Sequence, residues 1–161
     1  MSGDCGPSVC VPAAFAAAAE FPGVRFTLVG RRSELEHRVA SAKRTNIECL
    51  FAEQVVEMND HPREALRRKK DSSMRRALDL VKAGQANACV SAGNTGALMA
   101  MAHFVLKMLP GVERPAIVSL IPSRGGHTFM LDSGANVSCT PEQLCQFAVM
   151  GSVLARSRGR A

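Results

Sequence analysis

Short apolar runs that stop at glycine or a turn and give way to helical patterns recur along this chain, and that alternation limits its fold more than any other feature. Phe26–Gly30 (FTLVG) reads as a strand closed by glycine, and from Ser33 a charged amphipathic stretch runs to about Ala42. Ile47–Phe51 (IECLF) repeats the strand pattern. After a polar passage, Ser72 is placed to cap a helix whose Met74, Leu78 and Val81 share a face before Gly84 ends it. Residues 86–91 (ANACVS) read as another strand, turned by AGNTGA into LMAMAHFVLKML, a helix apolar nearly all round and so expected to be buried on most sides. Ala116–Ile121 and Thr128–Leu131 are further strands, close enough across PSRGGH to form an antiparallel hairpin. Thr140, Pro141 and Gln143 carry a capping-box pattern before the last helix. Strands and helices in alternation imply an α/β layered sheet, here expected as a single domain over 1–161.

Composition narrows the function classes. A chain of 161 residues is long enough to bury a core. Its 20 Lys and Arg against 14 Asp and Glu leave a charge of +6, which favours anions or acidic partners. With no Trp and no Tyr it lacks the stacking platforms of single-strand binders, so nucleic acid is disfavoured. Six cysteines form no CxxC pair and four histidines show no matching ligand spacing, so no metal site is expected. Cys49 and Cys89 lie in apolar runs and read as buried free thiols in a reducing cytoplasm. Residues 83–106 carry no charged side chain, but Gln85, Asn87, Gly93, Asn94 and Gly96 interrupt them, which argues against a spanning helix. The opening residues imitate a signal peptide, yet Asp4 stands before the Ala-rich run and no Lys or Arg does, so a mature N-terminus is expected. No strand pattern precedes the first loop and none follows the basic tail ARSRGRA. A sheet incomplete at both ends, and hence a fragment, is the expectation.

Three loops fall where ligands bind in parallel α/β sheets: SGDCGP (2–7), SAGNTGA (91–97) and LDSGAN (131–136). In the second, Gly93 and Gly96 allow close approach of backbone N–H groups, Ser91, Asn94 and Thr95 add polar side chains, and the following helix offers its N-terminus to an anion. A tight turn that merely needs glycine explains the same residues equally well. The stretch EALRRKKDSS (64–73) delivers Arg67, Arg68, Lys69 and Lys70 onto Asp71, Ser72, Ser73 and a helix start. That combination suits phosphate and acidic partners, against the ordinary reading of a solvated face. Asp132, Gly134 and Asn136 either organise a loop or contact a ligand. His61, His103 and His127 are assigned no catalysis.

In their order and spacing, SGDCGP, EALRRKKDSS, SAGNTGA, LDSGAN and PEQLCQFAVMGS resemble the bacterial phosphate acyltransferases of phospholipid synthesis, from Ser2 to about Ala155. The first loop resembles MGGD, with Ser2 replacing a glycine, and Ser133 stands where the family's loop is apolar. The resemblance implies a three-layer α/β/α fold with a mostly parallel mixed sheet of the isocitrate and isopropylmalate dehydrogenase type, of which this chain is a part. It implies transfer of a fatty acyl group from acyl carrier protein to inorganic phosphate, without a cofactor or metal. It also implies a cytoplasmic homodimer working at the membrane surface through parts absent here. Asn94 and Lys70 become the candidates for catalysis, and replacing either with Ala is expected to slow turnover with little change in melting temperature. Gly3, Asp4, Arg68, Lys69, Asp71, Ser72, Ser73, Ser91, Gly93, Thr95, Gly96, Asp132, Gly134 and Asn136 become candidates for substrate binding. An inactive fragment, a nucleotide-binding dehydrogenase-like domain and a noncatalytic basic module are the alternatives.

Overall fold

The structure, a computed structural model, describes residues 3, 5–40, 45–134, 136 and 138–158. Its elements follow the order α1 (Pro7–Glu20), β1 (Phe26–Gly30), α2 (Arg32–Ala40), β2 (Ile47–Phe51), α3 (Pro62–Arg68), α4 (Ser73–Lys82), α5 (Thr95–Leu106), β3 (Val118–Ser123), β4 (Gly126–Leu131) and α6 (Pro141–Ser157). Contacts group the chain into two compact units, 1–107 and 108–161. The class is α/β. Among the described residues the strands form two separate two-stranded sheets, a parallel β1–β2 pair and an antiparallel β3–β4 pair.

In the first unit, β1 and β2 lie in register from Phe26 opposite Ile47 to Gly30 opposite Phe51. The apolar core sits on the helices that follow: Val56, Ala65, Met74, Leu78, Ala97, Met101 and Val105 are buried together, where α3 and α4 pack on α5. Each such Met, Leu or Val contributes about 1.5–3 kcal/mol by leaving water. Ala97, Met101 and Val105 recur every four residues and form one buried stripe of α5, while Phe104 is 65% exposed. Burial of α5 on most sides, expected from its composition, is therefore corrected to burial of one face. Of Met99, Met101 and Met108, only Met101 is fully buried.

Two further readings change. Residues 86–91 are not a strand, and Val90 is 97% exposed. A strand needs a neighbour for its N–H and C=O groups, and no described segment pairs with this run. The charged passage after β2 hides a helix the apolar pattern missed, α3, which begins at Pro62 after His61 accepts the Arg63 N–H at 3.4 Å. The end of α4 follows its sequence signal closely: Gly84 takes φ +69°, Gln85 N–H donates to Leu80 O at 2.9 Å and Gly84 N–H to Val81 O at 3.0 Å.

In the second unit the hairpin is tighter than PSRGGH suggested, because Pro122, Ser123, Gly126 and His127 all belong to its strands. The capping box of α6 is present in full, with Thr140 and Gln143 exchanging side-chain to backbone hydrogen bonds. Helix α6 packs on β4, and Gly151 makes room there for Leu131. No helix among the described residues is long and apolar enough to cross a membrane.

Candidate functional site

The start of α5 is built around one amide. Asn94 caps the helix through Oδ1, which accepts the Ala97 N–H at 2.9 Å. Its Nδ2 donates the other way, to the carbonyls of Asp60 at 2.9 Å, Met58 at 3.0 Å and Glu57 at 3.2 Å. With 8% exposure and both ends engaged, this side chain fastens α5 to the loop before α3. The Thr95 and Gly96 N–H groups are orphan donors of the first turn, with no partner among the described residues. Both residues are exposed. Asn94 sets that pair of donors in place, and removing its side chain is now expected to cost stability.

Gly96 also makes the seam with α3. A Cβ there would stand 3.0 Å from Pro62 Cγ. The ring starts a capped helix, so Gly96→Ala is expected to force α3 and α5 apart. Overpacking costs about 1–3 kcal/mol, and Ala's better helix propensity offsets at most about 1 kcal/mol. A thermal melt should show net destabilisation of about 1 kcal/mol; an unchanged melt would mean the seam yields freely.

The cationic run divides. Arg67 and Arg68 form the last turn of α3, where cations complement the helix's negative end. Lys69 turns inward: its Nζ donates to Val55 O at 2.7 Å and pairs closely with Asp60. Asp60 also accepts the Glu57 N–H at 2.7 Å. The Lys69 hydrogen bond first, then this N–H, hold its carboxyl below the usual range. Asp60 thus joins the two motifs, with its carboxylate on Lys69 and its carbonyl on Asn94. Lys70 is exposed and makes no ion pair among the described residues.

Asp71 serves the scaffold. It accepts the Glu53 N–H at 3.1 Å and Arg76 Nε at 2.7 Å, and these bonds, in that order, lower its pKa. Ser72, fully buried, donates to Lys69 O at 2.7 Å and caps α4 by accepting the Arg75 N–H. The Ser73 N–H is taken by Gln54 O at 3.2 Å. Gln54 further grips Arg68 O and the Asp71 N–H through its side chain. At the start of α4 the Ser73 and Arg75 N–H groups are already in use, whereas the first two N–H groups of α5 are open among the described residues.

Of the other candidates, Ser91 accepts the Gly93 N–H at 3.2 Å. Gly3, at φ +75°, lies against this loop, since a Cβ on it would meet Ala92 O at 3.3 Å. Asp4 falls outside the described residues. The 91–97 loop, the 60–72 segment and Gly3 thus come together in the first unit. In the second unit, Asp132 takes φ +58° and its Oδ1 accepts both the backbone N–H and Nδ2 of Asn136, at 3.2 and 2.9 Å. Asn136 Nδ2 also reaches Pro115 O at 3.1 Å, and Gly134 takes φ +78°. These residues organise their own loop. Burial raises the Cys89 thiol, and burial followed by the Glu48 charge raises that of Cys49, so neither is poised as a thiolate.

Asp60 and Gln54 went unnoticed in the sequence. Asp60 carried a faint signal, an acid and His61 just ahead of Pro62 at a helix start. Gln54 carried none.

A protein-family model described as "Fatty acid synthesis protein" matches residues 1–159. The chain is 56% identical over 160 residues to a phosphate acyltransferase of Methylococcus capsulatus, covering 98% of this chain and 47% of that protein. It is 51% identical over 164 residues to a phosphate acyltransferase of Ectopseudomonas mendocina, covering 100% and 49%. One from Pseudomonas savastanoi is 52% identical over 162 residues, with coverage of 99% and 48%. The chain spans about half the length of these curated relatives.

Proposed function

The chain belongs to the fatty acid synthesis protein family, and from that membership we propose that it supplies part of the catalytic body of a phosphate acyltransferase. The reaction is attack by a phosphate oxygen on the carbonyl carbon of a fatty acyl thioester borne by acyl carrier protein. A C–O bond forms, the C–S bond breaks, and the carrier's thiolate leaves and takes up a proton. Phosphate is already anionic near neutral pH, so positioning and charge stabilisation carry most of the work and no metal or organic cofactor is required.

The observation that carries this reading is the pair of unengaged N–H groups of Thr95 and Gly96 at a helix start that Asn94 holds rigid. Aimed together, they suit a phosphate oxygen or the oxyanion of the tetrahedral intermediate. Lys70 is the cation assigned to phosphate, since Lys69 is spent on Asp60. Asn94 acts as a positioning residue in this scheme. Gly3 borders the phosphate site, Asp4 remains a substrate-binding candidate on its sequence motif alone, and Asp132, Gly134 and Asn136 shape a second substrate loop. In the complete protein we propose the three-layer dehydrogenase-type fold, with 1–161 as one partial domain, a homodimer, and peripheral attachment to the cytoplasmic face of the membrane.

The test mixes full-length protein with long-chain acyl carrier protein and inorganic phosphate and follows acyl phosphate. Phosphate-dependent loss of the thioester is expected. Lys70→Ala should reduce turnover about tenfold or more, as removal of one charge-assisted contact implies, with an unchanged melting temperature because the side chain is exposed and makes no ion pair among the described residues. Thioester that persists at every phosphate concentration would end the acyltransferase reading.

A further inference from the structure

We propose that the exposed arginine row of α3, Arg63 and Arg67 with Arg68 beside them, is a docking strip for the acidic protein that presents the acyl group; the inference rests on the acyl-transfer reading. Arg63 and Arg67 are four residues apart and so share a helix face. Both are exposed, and neither makes an ion pair among the described residues. Their repulsion works against a helix of only seven residues. Arg63 also stands in the first turn, where the helix's positive end disfavours a cation.

Everything else in α3 obeys local stability: His61 caps it, Pro62 opens it, Glu64 sits in the first turn and Ala65 is buried. Glu64 lies one turn before both Arg67 and Arg68, yet it forms an ion pair with neither among the described residues. A pair that disfavours its own helix is explained by a partner that supplies carboxylates, which guanidinium groups bind in bidentate fashion.

Geometry selects the kind of partner. Successive helical residues diverge by about 100°, so Arg67 and Arg68 do not converge on one small ion. The row is about a turn long and fits a broad anionic surface. None of the large exposed apolar side chains belongs to α3, so the strip offers a bilayer nothing to insert. The chain also has no Trp or Tyr for stacking on nucleic acid. Position matters equally: Pro62 abuts Gly96, so the strip starts beside the open N–H groups of α5. A carrier docked there holds its thioester at the reacting site.

The experiment titrates full-length protein with fluorescently labelled acyl carrier protein at low and high salt, against the reversal Arg63→Glu/Arg67→Glu and the neutral Arg63→Gln/Arg67→Gln. Affinity at low salt is expected to fall about tenfold or more in the reversal and by an intermediate factor in the neutral variant, with the gap closing at high salt. Circular dichroism should stay unchanged, the neutral variant should melt as high as the parent or slightly higher because the repulsion is gone, and inorganic phosphate, titrated separately by calorimetry, should bind both variants as it binds the parent. Equal carrier affinity in all three proteins overturns the proposal. So does a loss confined to phosphate, or to sedimentation with phosphatidylglycerol vesicles. Charge-dependent carrier binding by a parent that never forms acyl phosphate would instead keep the strip and overturn the reaction.

Discussion

Asn94→Ala is expected to lower stability by about 3 kcal/mol and the melting temperature by roughly 10 °C. The cap to Ala97 N–H contributes about 1 kcal/mol of this, the usual worth of an N-cap side chain. The remainder comes from the carbonyls of Glu57, Met58 and Asp60, which lose the donor that satisfies them in a site 8% open to water. Two further substitutions separate these contributions. Asn94→Ser keeps an acceptor for the cap and loses only the grip on the loop. Asn94→Asp keeps the cap as well, yet turns a carboxylate oxygen toward three carbonyl oxygens, so at neutral pH it should be at least as damaging as Ala. Its deficit should shrink on acidification, because the protonated acid regains a donor and the folded state raises that acid's pKa. Thermal melts of the three variants across pH check the series. An Ala variant that melts like the parent while losing turnover would transfer Asn94 from scaffold to chemistry.

The contrast between Asn94 and Ser72 indicates what local sequence carries and what it does not. Ser72 and Gly84 mark the two ends of α4, and Thr140 with Gln143 marks the start of α6, because capping is settled within four residues. The parallel β1–β2 pair follows from apolar runs recurring at a crossover's distance. Residues 86–91 read as a further such run and yet form no ladder among the described residues, since pairing depends on a distant neighbour. Helix α3 escaped because five of its seven residues are charged or proline, leaving only Ala65 and Leu66 to signal a buried face. The site was legible as motifs and opaque as roles. Asn94 and Lys69 look like free ligand groups in the sequence, and in the structure both engage Asp60, nine residues from one and thirty-four from the other.

That hub sets the second large effect, in Lys69→Met. Methionine keeps most of the apolar stem and removes the ammonium, so Val55 O loses its donor and Asp60 is left with the Glu57 N–H. The two side chains are 27% and 24% exposed, between a surface pair worth about 0–1 kcal/mol and a buried one whose breaking costs about 3–5 kcal/mol. A loss of about 2 kcal/mol near neutral pH is the expected result. Its pH dependence has a definite sign. The Asp60 carboxyl sits below its ordinary 3.8 in the folded chain, chiefly through Lys69. The pair's contribution is therefore fully present above the ordinary value and disappears as pH falls through the lowered folded one. Parent and Lys69→Met melts should accordingly lie farthest apart above about pH 5 and draw together in acid. Asp60→Asn, which keeps the shape and an acceptor, should reproduce the same loss of acid sensitivity with a smaller drop at neutral pH. Combined with Asn94→Ala, either change should cost less than the sum of the single effects, because both act on the 57–61 loop. Strict additivity would mean that the cationic turn and the start of α5 are held independently, and that Asp60 does not couple them.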